Sequence, residues 1–455
     1  MTHPAFETHS SAGIDTFLIP ADVWKEGSAP VSERAKRFAE SQKFKASAEQ
    51  VVIIPDEDGN PAEVLFGLGA GTDLMATAGL ASRLPTATYK IAYAPDAFTF
   101  RHIASGWADG AYAFNRYLTS DTPPPALVIP EGEDASAIFA EADAIDLLRD
   151  MVNTPAQDMG PEAIELEIRN LGAEFGADVS AILGNDLLEQ NYPMIHAVGR
   201  AGPQAPRLIR LVWGDPTHTP VALVGKGVAF DTGGLNLKTG NYMRIMKKDM
   251  GGAAHAIALA RLVMAHNLPV HLSLYVPAVE NSISGDAFRP GDILSSRKGL
   301  SVEIDNTDAE GRLILGDALA RACEDVPDLV IDFATLTGAA RVALGPDLAP
   351  FYTQDETLAD GLWTAADTVG DPCWRMPLWA PYRKMLKSPI ADIVNAGGPQ
   401  AGSITAAIFL KEFVDTTRWV HFDVWAWRLS KYGRQEGAAA CGLRATFEML
   451  RQRYL

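Results

Sequence analysis

The 455-residue chain has no uninterrupted run of about 18 apolar residues, so no membrane-spanning helix is expected. Its opening, MTHPAFETHSS, lacks a basic stretch followed by an apolar one. No signal peptide is therefore evident, and a cytoplasmic location is expected. Cysteine is scarce: Cys323, Cys373 and Cys441 are odd in number, far apart and outside any CxxC. That usage fits reduced thiols and argues against a structural zinc site on thiolates. Positive charge is also short. A formal net charge of -18, with no extended basic run, argues against nucleic acid or an anionic membrane as partner. Acidity alone says little more, because soluble enzymes often carry acidic surfaces.

Familiar catalytic signatures are missing too. HExxH does not occur. The GKG at 225–227 is not a phosphate loop, since Pro220 takes the first glycine position and Gly227 the hydroxyl position. GLGAG (Gly67, Gly69, Gly71) lacks GxGxxG spacing and reads as a tight turn from a strand into a helix beginning near Thr72. No internal repeat or low-complexity tract stands out.

What is present is a globular composition, 47% hydrophobic and 21% charged, in a chain long enough for two or three domains. Strands are expected at 51–54 and 63–66. A helix is expected at 134–151, after the proline-rich run TSDTPPPALVIPEG, which is the best linker candidate. Beyond Pro155, strands at 208–213, 221–224, 272–276, 329–333 and 419–424 alternate with helical patterns that include 252–265 and 313–324. The expected fold is α/β, with a smaller N-terminal α/β domain (1–130), a linker and bridging helix (131–154) and a larger catalytic domain (155–455). The larger domain should hold a mixed, mainly parallel sheet flanked by helices. In such sheets ligands collect outside the carboxyl ends of the strands.

Residues 306–313 read NTDAEGRL and set Asp308, Glu310 and Arg312 on alternate positions. In an extended segment all three would face one side. Ala309 and Gly311 between them leave room for a ligand near the main chain. Two neighbouring carboxylates repel unless a cation lies between them. Two further stretches carry charge in glycine-rich turns: GKGVAFDTGGLNLK, with Lys226, Asp231 and Lys238, and MKKDMGGAA, with Asp249 just before a helix. An isolated aspartate would be read as a solvated charge or a helix cap. Together, Asp231, Asp249, Asp308 and Glu310 carry about four negative charges, a set that suits two ions of Mg²⁺, Mn²⁺ or Zn²⁺. His255 and His421 read as packed structure rather than ligands.

These motifs, in the order VNTPAQDM, AVGR, VGKGVAFDTGG, MKKDMGGAA, PGD, NTDAEGRL, DAL, ATLTGAA and GSITAAIFL, resemble the leucyl (cytosol) aminopeptidases, dinuclear-metal exopeptidases. The resemblance covers roughly residues 150–455. It implies that Asp231 and Glu310 bridge two metals, zinc or manganese, that Asp308 completes one site, and that Lys226 and Asp249 complete the other. Lys238 and Arg312 would be catalytic without binding metal, Arg312 holding a bicarbonate that manages the proton of a metal-bridging hydroxide. A structural pairing of Arg312 with a ligand carboxylate is the alternative. Lys226 can ligate only as a neutral amine, whereas Lys238 must stay charged to stabilise an oxyanion.

The implied reaction removes the N-terminal residue, leucine or another apolar residue, from peptides with a free amino terminus. Met246, Thr335 and Gly338 would line the side-chain pocket, and ordinary core is the competing reading of Met246. The implied assembly is a homo-hexamer. Trp425 and Arg428 are bulkier than the family's pattern in a segment that helps close the pocket, so side-chain preference is open. Two other readings stand beside this one: a dinuclear phosphoesterase, and a binding or regulatory protein on the same fold, with DNA as one conceivable partner. Lys226 and Lys238 at family spacing and the lack of metal-binding histidines weaken the first; the charge of -18 weakens the second.

Overall fold

The computed structural model describes residues 2–8, 12–118, 122–416, 418–429 and 436–455. They form two compact units, one from the described residues of Met1–Asp146 and Leu429–Glu436, the other from Leu147–Arg428 and Gly437–Leu455.

The first unit contains β1 (Phe6–Thr8), β2 (Ile14–Pro20), β3 (Val51–Pro55), β4 (Pro61–Gly69), β5 (Thr88–Tyr93) and β6 (Ala126–Ile129). Their order is β1-β6-β5-β2-β4-β3, parallel except where β3 meets β4. The proline-rich run is therefore not simply a linker: its ALVI segment is β6, inserted between β1 and β5. Four consecutive apolar residues suit a strand covered on its faces, and the three prolines stop just short of it. Residues 119–121 of that run lie outside the described set. The helix expected from Thr72 begins instead at Thr77. Gly67 and Gly69 belong to β4, and the Asp73 carboxylate accepts the Met75 amide in a turn that delays the helix.

In the second unit, β7 (Asp178–Leu183), β8 (Arg207–Trp213), β9 (Thr219–Gly225), β10 (Gly227–Asp231) and β11 (Val270–Asn281) precede two short strands, β12 (Ile293–Ser295) and β13 (Ser301–Glu303). After them come β14 (Leu329–Ala334), β15 (Ala349–Tyr352), β16 (Cys373–Arg375), the two-residue β17 (Ile393–Val394) and β18 (Trp419–Asp423). The main sheet runs β16-β15-β18-β14-β9-β11-β8-β7, with β10 also paired to β11. Its centre, β18-β14-β9-β11, is parallel, and β15 and β8 flank it in the antiparallel sense. This is the mixed, mainly parallel α/β sheet expected. Each predicted strand is present, and β11 is longer than its apolar run suggested.

Helix Gly251–Ala265 is apolar nearly all round and buried on almost every residue, while Gly311–Glu324 is buried on most of its residues, Arg312 and Asp317 included. The first starts two residues after Asp249 and the second directly after Glu310, so their packing fixes where those carboxylates stand. No helix among the described residues is long and apolar enough to cross a membrane.

Both histidines set aside above are core groups. His255 is fully buried; its Nδ1 bonds the Gly251 carbonyl and its Nε2 accepts the Cys441 amide. Burial pulls its pKa down to about 4. The unfolded chain binds a proton there below about pH 6.5, and the folded one does not until about pH 4. Stability from this group is thus present above pH 6.5 and lost as pH falls toward 4, by up to about 1.4 kcal/mol per pH unit. Urea unfolding between pH 7 and pH 5 should show that slope, and a His255→Gln variant should show less of it; equal slopes would refute the assignment. His421 pairs through Nδ1 with Asp332 at 2.6 Å, and Asp332 also accepts the Trp419 indole N–H at 2.7 Å.

Candidate metal centre and substrate cavity

Four strand ends of the second unit open onto one cavity of about 520 Å³. Lys226 follows β9, Asp231 ends β10, Thr335 follows β14 and Trp425 follows β18. A register shift between Val228 and Asp231 frees the end of β10 from regular pairing, as bulges beside sites commonly do. Gly233 and Gly234 then turn the chain at φ +87° and +60°, and the Gly233 amide holds Asp231 Oδ1 at 2.9 Å.

NTDAEGRL is not extended. Asp308 sits in a turn, Glu310 has helical backbone angles as the N-cap, and Arg312 is already in the helix. The three side chains nevertheless all reach the cavity, because the turn, rather than strand alternation, aims them. Gly311 is required by contact. A Cβ there would stand 2.5 Å from Lys226 Cε and 2.7 Å from its Nζ.

The sequence-predicted ligands come together. Oxygens of Asp231, Asp308 and Glu310 all lie within 4.8 Å of one another. Lys226 Nζ is 2.7 Å from Asp249 Oδ2 and 2.8 Å from Glu310 Oε1, and it donates to the Thr335 carbonyl at 2.9 Å. Lys238 Nζ is 2.7 Å from Asp231 Oδ2 and 2.5 Å from Asp308 Oδ1. The Thr335 hydroxyl donates to Asp249 Oδ1 at 2.9 Å, so this cavity-lining residue also orients the Asp249 carboxylate. Met246 and Gly338 line the same cavity.

Electrostatics make the cluster uncomfortable as it stands. Burial, then the nearby Asp231 charge, pushes the Glu310 carboxyl up to about 7. Burial and Asp249 push Asp231 up to about 6, and burial with Glu310 raises Asp308. Burial opposes charge on Lys226, but Asp249, Glu310 and Asp231 outweigh it and hold the ammonium form; Lys238 is raised for similar reasons. Asp249 Oδ2, Asp308 Oδ1 and Glu310 Oε1 have only the ammonium groups of Lys226 and Lys238 beside them. Carboxylate oxygens this close, offset only by two lysines, fit a divalent cation.

Arg312 is buried, donates to the Asn395 carbonyl at 2.7 Å, and has no ion-pair partner among the described residues. Its Nε lacks a hydrogen-bond partner. The structural pairing with a ligand carboxylate is therefore absent.

Sequence reasoning missed the groups that brace this cluster. Asn281, fully buried at the end of β11, donates to Asp231 Oδ1 at 2.8 Å and to the Thr307 carbonyl at 3.1 Å. Asn395 receives the Asp305 and Asn306 amides and donates to the Asn306 carbonyl, shaping the NTDAEGRL turn. The polar pair Glu280 and Asn281 closing the apolar run of β11 was the available signal for Asn281. Groups that orient metal ligands are typically worth about 10–100-fold in affinity or activity. Asn281→Ala should accordingly raise the manganese concentration giving half-maximal turnover by about that factor; an unchanged titration would remove Asn281 from this role.

A parallel-centred α/β sheet with buried carboxylates and lysines at its strand ends defines a hydrolase-type site that can hold metal. The chain belongs to the cytosol aminopeptidase family: the model of that family's catalytic domain matches residues 146–447, and that of the M17 aminopeptidase N-terminal domain matches residues 20–130. It is thus a metal-dependent aminopeptidase. A protein named "Probable cytosol aminopeptidase" from Geobacter sp. (strain M21) is 36% identical over 95% of this chain and 94% of its own length. The crystal structure of the cytosol aminopeptidase from Coxiella burnetii is 40% identical and covers 100% of both chains at a TM-score of 0.92. The bottromycin maturation enzyme BotP, solved in complex with Mn, is 33% identical at a TM-score of 0.87, covering 98% of this chain and 100% of its own.

Proposed function

We propose that the chain removes N-terminal residues from peptides with a free amino terminus, using two divalent cations, zinc or manganese. Asp231 and Glu310 bridge them, Asp308 completes one site, and Lys226 and Asp249 complete the other. The observation that carries this reading is the set of carboxylate oxygens of Asp231, Asp308 and Glu310 within 4.8 Å of one another, in a cluster whose carboxyls burial and mutual repulsion raise. Two cations held there would supply Lewis acidity toward the scissile carbonyl and acidify a water.

The chain's own residues do the rest. Lys226 must give up its proton to ligate, which two cations beside it favour. Lys238 keeps its proton and turns from the carboxylates to the carbonyl oxygen as negative charge develops there. Arg312, with no carboxylate partner among the described residues and its Nε unbonded, would hold a bicarbonate able to take up the proton of the reacting water. Met246, Thr335 and Gly338 form the side-chain pocket, where leucine or methionine packs against Met246.

The protein works in the cytoplasm as a homo-hexamer, and its catalytic unit spans residues 155–455 beyond a bridging helix and an N-terminal domain. Leucine anilide assayed with Mn²⁺ or Zn²⁺ tests the reading. Turnover that a chelator abolishes and either metal restores is expected; no hydrolysis under any divalent metal would refute it, and phosphatase activity instead would favour the dinuclear phosphoesterase.

A further inference from the structure

Every carboxylate lining the cavity belongs to the metal centre: Asp231, Asp249, Asp308 and Glu310. Five cations line it, namely Lys226, Lys238, Lys248, Arg312 and Arg341. Lys226 and Lys238 are paired with the carboxylates, and Arg312 is the proposed seat of the proton-moving anion. Lys248 and Arg341 are left over. Lys248 is 3% exposed, and its nearest carboxylate oxygen, on Asp249, is 3.8 Å away. Arg341 has no ion-pair partner among the described residues.

What these two cations share is Trp425. The Lys248 ammonium and the Arg341 guanidinium each stand 4.2 Å from the centroid of its indole ring. Ala426, the next residue, takes φ +55°, a conformation that L residues adopt reluctantly and that tends to persist where a site needs a side chain aimed. An aromatic face offsets only part of the cost of taking a charge out of water, so two cations held this way remain seekers of an anion.

Their position says which part of a substrate they meet. Arg341 is one helical turn beyond Gly338, so the two share a face of helix Gly338–Leu344. Lys248 follows Met246 by two residues in the segment Gly240–Met250. The cations are thus carried by the same two elements as the side-chain pocket. A Cβ on Gly338 would meet nothing within 4 Å, so the space beside it is open, and Gly338, Lys248 and Arg341 line one cavity.

We propose that the far end of the side-chain pocket recognises a carboxylate, with Arg341 and Lys248 receiving the side chain of an N-terminal glutamate and Trp425 serving as their platform. The inference rests on the aminopeptidase reading above and extends it. Glutamate's methylenes run past Met246 much as a leucine side chain would, and its carboxylate reaches the cations beyond. The same chemistry could be met by the free carboxyl terminus of a dipeptide, and the substrates are chosen to tell these sources apart.

The manganese-loaded enzyme is assayed on glutamyl, glutaminyl and leucyl anilides, which have no terminal carboxylate, and on Leu-Ala against Leu-Ala-amide. The expected result is a kcat/KM ratio of at least tenfold for glutamyl over glutaminyl anilide, carried mainly by KM and shrinking as salt rises. Arg341→Gln should bring the ratio near one, Arg341→Lys should restore much of it, and Lys248→Met should lower it. A wild-type ratio near one with leucine still turned over overturns this inference alone. Turnover of no substrate overturns both readings. A ratio that survives in Arg341→Gln and Lys248→Met overturns it, as does a preference seen only for Leu-Ala over its amide. If Arg341→Gln does not fold, the wild-type ratio with its salt dependence and the Arg341→Lys and Lys248→Met ratios decide by the same criteria.

Discussion

Asp308→Ala should lower kcat/KM on leucine anilide by at least about 10³-fold, since losing one cation of a pair forfeits several kcal/mol of transition-state stabilisation. The fold should tolerate the change. Asp308 is in a turn, its side chain is 31% exposed, and its carboxyl is already destabilised as an anion by burial and by Glu310. Removing it relieves a like-charge contact and leaves Lys238 still paired with Asp231 at 2.7 Å. Thermal unfolding of the metal-free variant should therefore match or exceed the metal-free wild type. Retained turnover would show that Asp308 is a bystander; a collapse in unfolding temperature would show a structural role instead. Ligand sites of this kind are where stability is commonly given up for function.

Lys238→Met should cost about 10²–10³-fold in kcat with KM little changed, the signature of a group that acts only as charge develops. Methionine keeps the apolar stem of the side chain and removes the ammonium group. The prediction is specific, because Lys238 faces Asp231 and Asp308 and carries no backbone element. A large rise in KM with kcat intact would make Lys238 a substrate-binding group, and metal loss from the variant would make it a support for the ligands. Metal content measured on the same sample separates these outcomes.

Much of this fold was readable because β14, β9 and β11 are predominantly apolar, broken in β14 only by Asp332 and in β11 by His271, Ser273 and its polar end, as suits parallel strands covered on both faces. β6 was less readable, since three prolines ahead of it carry a strong turn signal and only four residues form the strand. The helix expected at Thr72 was delayed by the Asp73 turn, a local side-chain bond that periodicity does not detect.

At the site, carboxylates in glycine-rich turns stand out by composition, yet strand alternation does not account for their convergence. A turn leading into a helix gathers Asp308, Glu310 and Arg312, not strand alternation. The bracing amides of Asn281 and Asn395 act over separations of 50 and 89 residues, to Asp231 and Asn306, and no short motif records them. The clustering of Lys248, Arg341 and Trp425 has the same origin, since three distant segments meet only after folding. Flagging Trp425 as bulky located the departure but not its charge.

Metal stoichiometry read together with turnover tests the central claim most directly. Chelator-stripped protein is titrated with Mn²⁺, and bound metal per chain is measured beside leucine anilide hydrolysis. Two ions per chain are predicted for the wild type, with turnover appearing as the pair fills, and fewer than two for inactive Asp308→Ala. Full hydrolysis by stripped protein with no detectable metal, or two ions bound equally well by Asp308→Ala, would contradict the account.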